Sequence, residues 1–254
     1  LYNTKITMLY FKNDAVDLNA PLPASGPPPA RTFRELGAAT ELVRLVARLP
    51  ELSKHPRGDG EPVMVLPGFS AGDRSTAILR THLQRLGYRV RGWGLGTNNG
   101  DVPNLIPRVI RAVSDHAESV GEPVRLIGWS LGGYLAREAA RDLPECVDRV
   151  VTLGSPVVGG PRFTTTAGFY RANGTDFDEI DRFIEEREQT PIRVPITAVY
   201  SKSDGIVEWR ACIDHRSPNV DHFRVRTTHI GLGFSPDVLG IVAATLAESA
   251  ARTA

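Results

Sequence analysis

Val124-Arg-Leu-Ile-Gly128-Trp-Ser130-Leu-Gly132-Gly133 is an apolar run that breaks at a Gly-x-Ser-x-Gly turn, and Tyr134-Leu-Ala-Arg-Glu-Ala-Ala continues from it with a helical pattern. The spacing predicts a buried strand over Val124–Trp129, a sharp turn at Ser130 and a helix over Leu131–Asp142. A serine on such a turn has its hydroxyl lifted above the sheet edge and its neighbouring N–H groups near a helix start. That is where an acyl-transfer nucleophile belongs. Glycines flank it because strand and helix nearly touch there and leave no room for a Cβ. The five-residue motif alone arises by chance in roughly one chain in ten of this length, so its surroundings decide its meaning.

Outward from this turn, strands and helices alternate from about residue 61. Strands are expected at 63–66, 89–95, Val124–Trp129, Val147–Leu153, 196–200 and 223–226. Helices are expected at 75–86, 105–118, Leu131–Asp142 and 236–250. Strict alternation predicts an α/β fold with a mostly parallel sheet of about six strands and helices on both faces. Chemistry in such sheets sits beyond the carboxyl ends of the strands.

A serine needs a general base, and the base needs an orienting carboxylate. Asp204 follows the fifth strand in Tyr200-Ser-Lys-Ser-Asp204-Gly-Ile-Val, and taken alone it reads as an Asp-Gly turn. His229 follows the sixth strand in Thr228-His229-Ile-Gly-Leu-Gly233. His55, His82 and His116 precede the serine, whereas His215 and His222 fall in a loop and at a strand start. The order Ser130, Asp204, His229, each at a strand's carboxyl end, is the order of a nucleophile-elbow enzyme. Two backbone N–H groups are required for an oxyanion hole. Leu131, directly after the serine, is one candidate, and Phe69 in Leu66-Pro-Gly68-Phe69-Ser70 is the other.

Residues 1–60 read as an N-terminal arm and leader helix, and 61–254 as the catalytic domain. The arm, 12–31, is rich in proline and alanine; the helix opens on a Thr32-Phe-Arg-Glu35 capping box and carries Phe33, Leu36, Leu42, Val43, Val46 and Leu49 up to Pro50. It is expected to pack outside the main domain. A cap-like insert spans about 156–193. Its acidic helix presents Phe177, Ile180, Phe183 and Ile184 on one apolar face, either roofing a pocket or closing the core, and its carboxylates are read as solvated.

The 254 residues carry 30 basic and 29 acidic side chains, a balance with no field for nucleic acid. Neither an integral membrane segment nor an apolar leader is legible, so a cytoplasmic location is expected. Cys146 and Cys212 read as structural thiols, with a single bridge between them left open. No cofactor or metal site is predicted. Gly92-Trp-Gly94-Leu-Gly96 does not fit a nucleotide-binding glycine pattern. That loop is expected to line a substrate pocket with Trp93, Leu95 and Asn98, joined by Trp129, Phe177 and Ile230.

These segments resemble the α/β-hydrolase superfamily, especially bacterial serine esterases and lipases. Leu66-Pro-Gly-Phe, Gly128-Trp-Ser-Leu-Gly-Gly, Thr152-Leu-Gly-Ser-Pro156, the Asp204 segment and His229-Ile-Gly-Leu-Gly carry the likeness over about 61–254. Asp73-Arg-Ser-Thr and Gly92-Trp-Gly-Leu-Gly96 are similar to actinobacterial members. The resemblance implies hydrolysis of a small-molecule or lipid ester through an acyl-enzyme. Ser130 would be the nucleophile, His229 the base and Asp204 its orienter. The chain departs from the pattern in having Pro67-Gly68 where lipases usually have His-Gly, and Ile230 where the group often has a cysteine. The family's first two antiparallel strands are missing unless residues 1–30 supply them. The same triad also serves acyltransferases and perhydrolases, and a noncatalytic binding module is a further alternative. The oligomeric state is left open.

Overall fold

The computed structural model describes residues 21, 22 and 24–248. Six strands form one sheet: β1 (Pro62–Leu66), β2 (Arg89–Gly92), β3 (Val124–Trp129), β4 (Val147–Leu153), β5 (Ile196–Ser201) and β6 (Val220–Val225). All pairings are parallel, in the order β2-β1-β3-β4-β5-β6. The helices longer than one turn are α1 (Ala38–Ala47), α2 (Ala77–Arg85), α3 (Val102–Val120), α4 (Leu131–Asp142), α5 (Ala167–Ala172), α6 (Phe177–Glu188) and α7 (Pro236–Ala247), and single turns lie at Pro29–Thr32 and Leu49–Leu52.

The two faces of the sheet explain the unbroken apolar strands. Side chains alternate along a strand, so Met64 and Leu66 point to one face and Val63 and Val65 to the other. On the first face Met64, Leu126 and Val150 pack with Leu105, Val109 and Val113 of α3 and Leu135 and Ala139 of α4. On the second, Val63, Ile127 and Val151 pack with Leu79 and Leu83 of α2 and Leu239 and Val242 of α7. Covered on both sides, the central strands keep no polar face. The β1–β3–β4 register, Leu66 opposite Gly128 and Gly128 opposite Thr152, brings their carboxyl ends to one level.

Several boundaries differ from the sequence expectation. β2 ends at Gly92 because the Asp73 carboxylate accepts from the N–H groups of Trp93 and Gly94 at 3.0 and 3.2 Å, drawing the chain off the sheet. The helix expected at 75–86 begins as a 3-10 turn, Asp73–Thr76, before α2. β6 starts earlier, at Val220, and α3 starts at Val102.

The leader differs most. Thr32 has helical dihedrals and its hydroxyl donates to the Gly205 carbonyl at 2.8 Å, so the expected capping box does not form. The segment breaks into Pro29–Thr32, a 3-10 turn Phe33–Gly37, and α1. Phe33, Leu36, Val43 and Val46 are exposed, while Glu35, Ala38 and Glu41 face inward. No strand occurs in residues 24–61; residues 1–20 and 23, which include the first part of the proline-rich arm, lie outside the described residues. Among the described residues no helix is long and apolar enough to cross a membrane.

Candidate active site

Ser130 joins β3 to α4 at φ 55° and ψ −125°, a left-handed conformation that a residue with a Cβ holds only under strain. Its N–H donates to Leu153 O at 2.8 Å and its carbonyl accepts from Gly133 N at 2.9 Å, which lock the turn into both the sheet and the helix. A Cβ on Gly128 would run into Gly132 and Gly133, and one on Gly132 into the backbone of Leu66 and Pro67. The glycines therefore let three backbones meet at the serine.

The loop after β1 passes beside this turn. A Cβ on Gly68 would stand 3.1 Å from Ser130 Cβ. Asn98, wholly buried, holds the loop: its Nδ2 donates to Pro67 O at 2.9 Å and its carbonyl accepts from Ser70 N at 2.7 Å. Ser70 also sits at positive φ, 57°. Gly68, the neighbour of Phe69, thus reaches Ser130 from a segment separate from the β3–α4 turn that carries Leu131.

After β5, Ser201 O accepts from Asp204 N at 3.1 Å. The Asp204 Oδ1 atom accepts from Ile206 N and Val207 N at 2.9 and 2.7 Å, which aims Oδ2 toward the loop after β6. There His229 Nδ1 stands 2.7 Å from Asp204 Oδ2, with both side chains buried. Burial pulls the imidazole down, but Asp204 and then Glu35 outweigh it, leaving His229 above its ordinary value of 6.5. The Trp129 indole N–H donates to His229 O at 3.2 Å, and its ring lies tilted against the imidazole. Gly154 completes the corner, since a Cβ there would lie 3.1 Å from both Asp204 Oδ2 and His229 Nδ1.

Ser130, Leu131, Phe69 and His229 line a single cavity of about 840 Å³. Its far wall is largely apolar, formed by Phe169, Tyr170, Ile180, Phe183 and Ile184 from the segment between β4 and β5. Phe183 and Ile184 also pack on the main core, so α6 both roofs the cavity and closes the core. Phe69 meets Phe169 and Tyr170 at ring distances of 5.5 and 5.8 Å, joining the loop after β1 to α5.

Of the residues expected in the pocket, Trp129 and Ile230 line it. Trp93, Leu95, Asn98 and Phe177 do not. Trp93 is buried in the core with its indole N–H on Gly96 O, and Leu95 packs beside that core. Asn98 braces the loop after β1 from behind, and Phe177 is held between the guanidinium groups of Arg162 and Arg171. The reading failed there because a glycine-rich loop after a strand points inward as readily as outward. The insert's acids are only partly solvated: Glu188 is turned inward toward Arg137 and Arg141.

Cys146 and Cys212 are both free, and burial pushes the Cys212 thiol up, with Asp204 and Glu208 adding to it. Among the described residues no group of three or more His, Cys, Asp or Glu side chains gathers as a metal site. Sequence reasoning missed Tyr170, Phe169 and Glu35. The first two lie in an insert without periodic signal, and Glu35 was absorbed into the capping-box pattern.

Comparison with known proteins agrees with this architecture. No match was found among curated protein sequences. Among solved structures, the metagenome-derived lipolytic enzymes LipS and LipT are represented at TM-score 0.57 and 15% identity, over 76% of this chain and 94% of that one. The lipase BlEst2 of Bacillus licheniformis aligns at 0.57 and 16%, over 77% and 95%. The naproxen esterase of Bacillus subtilis aligns at 0.54 and 15%, over 76% and 86%. At these identities the likeness is one of fold. A sequence model of the alpha/beta hydrolase family matches residues 63–246, most of the chain, and the protein belongs to that family.

Proposed function

We propose that the protein is a serine hydrolase of carboxylic esters, with Ser130 as nucleophile, His229 as general base and Asp204 as its orienter. The observation that carries this reading is the buried 2.7 Å contact of His229 Nδ1 with Asp204 Oδ2, beside a serine held at φ 55° on the wall of the same cavity. With its Nδ1–H donated to the Asp204 carboxylate, the imidazole keeps the Nε2 lone pair free. As Ser130 Oγ attacks the ester carbonyl, Nε2 takes the hydroxyl proton and the carbonyl oxygen gains negative charge. The N–H groups of Leu131 and Phe69 receive that charge. Collapse expels the alkoxide, which takes the proton from Nε2, and leaves an acyl group on Ser130. Water then repeats the cycle and releases the acid.

The apolar wall supports an ester with a hydrocarbon acyl chain, and the segment between β4 and β5 acts as its cap. The lipolytic enzymes, the naproxen esterase and the lipase of similar fold accord with this substrate class. Hydrolysis of p-nitrophenyl esters by the purified protein, together with labelling of Ser130 by a fluorophosphonate, tests the reading. A protein that neither cleaves such esters nor takes up the label overturns it.

A further inference from the structure

Glu35 is an acid from the leader, outside the residues 63–246 that match the family. Its carboxylate is buried and makes three hydrogen bonds to backbone. Oε1 accepts from Gly205 N at 2.8 Å and from His229 N at 2.9 Å, and Oε2 accepts from Ile230 N at 2.9 Å. Burying a carboxylate is costly unless donors replace its water, and these N–H groups replace it. Gly205 directly follows Asp204, so one side chain grips the main chain at both candidate partners of the serine.

Other contacts press the leader onto the same two loops. The Thr32 hydroxyl donates to Gly205 O at 2.8 Å, and Arg31 pairs with buried Glu208 at 2.8 Å. A Cβ on Gly205 would overlap Arg31 and Thr32 backbone atoms, and one on Gly231 would lie 3.1 Å from Glu41 Cγ. Farther along, Arg44 and Arg48 hold Asp237 at the start of α7, the element that follows the His229 loop.

We propose that Glu35 is a positioning residue of the hydrolytic site, fixing the Asp204 and His229 loops to each other through their backbones. The leader is then a working part of the site, although it lies outside the matched family segment. This rests on the assignment of Ser130, His229 and Asp204 made above. Glu35 does not line the substrate cavity, so its effect falls on chemistry and not on binding. It also acts electrically. The carboxylates bearing on His229 are Asp204 and Glu35, whereas Glu41 and Asp237, on the neighbouring elements, are paired with Arg44 and Arg48.

The test compares the full chain with Glu35→Gln, Glu35→Ala and Ser130→Ala. Glutamine keeps the shape and an oxygen for two of the donors but removes the charge and turns an N–H toward Ile230 N–H. Loss of a fixed geometry of this kind costs up to about 10²-fold. We expect kcat to fall roughly tenfold in Glu35→Gln and further in Glu35→Ala, with KM within about twofold of wild type. Removing a negative charge near the imidazole should also move the acid limb of the rate profile, and the His229 titration read by NMR, to lower pH. Wild-type kcat and an unmoved titration in both variants, with only a lower Tm, overturn the inference and leave the esterase reading standing. A wild type that is inactive and unlabelled overturns both. Should Glu35→Ala fail to fold, Glu35→Gln carries the test.

Discussion

Asp204 Oδ2 holds His229 Nδ1 at 2.7 Å with both side chains buried, and the contact leaves the imidazole more basic than a free one. In the proposed mechanism His229 must be neutral to accept the Ser130 proton. Because its pKa is raised above 6.5, kcat/KM should fall as pH drops through a value above 6.5 and stay level on the alkaline side of it. Asp204→Asn should place the wrong tautomer opposite Ser130 and lower kcat by about 10³–10⁴-fold. A profile flat from acid to neutral pH would remove His229 from the role of base.

Strain at Ser130 leads to a second prediction, in which stability and activity move in opposite directions. Positive φ costs a residue with a Cβ about 1–3 kcal/mol, and glycine is free of that cost. Ser130→Gly should therefore be inactive, with at least about a 10³-fold loss in kcat, yet melt at a higher temperature than wild type. Ser130→Ala should be as inactive with no such gain, because alanine keeps the Cβ. Equal Tm values for the glycine and alanine variants would mean that the turn stores no strain.

The elbow was legible because steric need dictates its residues: Gly128, Gly132 and Gly133 are the only kind that fit, so the pattern is written in the sequence. The central strands were legible for a similar reason, since burial on both faces demands runs such as Val63-Met-Val-Leu66. The order Ser130, Asp204, His229 followed from strand ends alone. Less visible was anything set by contacts between distant segments. Thr32 and Glu35 obey a local capping rule, but Gly205, His229 and Ile230 offer them buried partners that local structure does not match. Trp93 has the composition of a pocket residue, yet the pull of Asp73 on its N–H turns it into the core.

The cavity wall gives the third prediction. Burial of each methylene is worth about 0.8 kcal/mol, or roughly fourfold in affinity for a fully buried chain. Along a series of p-nitrophenyl esters, kcat/KM should climb by up to roughly this factor per methylene while the chain lies against Phe183 and Ile184. Ile184→Asp, which puts a charge on that wall, should flatten the climb and spare the acetate ester. A peak at acetate in wild type would show that the acyl chain lies elsewhere.

Arg137 of α4 and Asp214, in the chain between β5 and β6, form a buried ion pair. Burial alone raises the Asp214 carboxyl, but Arg137 and the N–H groups of Ser217 and Arg216 reverse this and leave it well below the usual carboxylate range. A carboxyl lowered on folding adds stability above its unfolded pKa of about 3.9 and loses it as pH falls toward the lowered folded value. Asp214→Asn should thus remove about 3–5 kcal/mol at neutral pH by leaving Arg137 buried without its counter-charge. Glu188, the other acid near Arg137, is held by burial above the usual range and is shared with Arg141 and Arg216, so it compensates weakly. The difference in unfolding free energy between wild type and variant should shrink as pH falls below about 4, because the unfolded wild type then binds a proton at Asp214 that the folded state does not. Urea melts at neutral and acid pH measure it, and a difference independent of pH would show that packing, not charge, holds Asp214 in place.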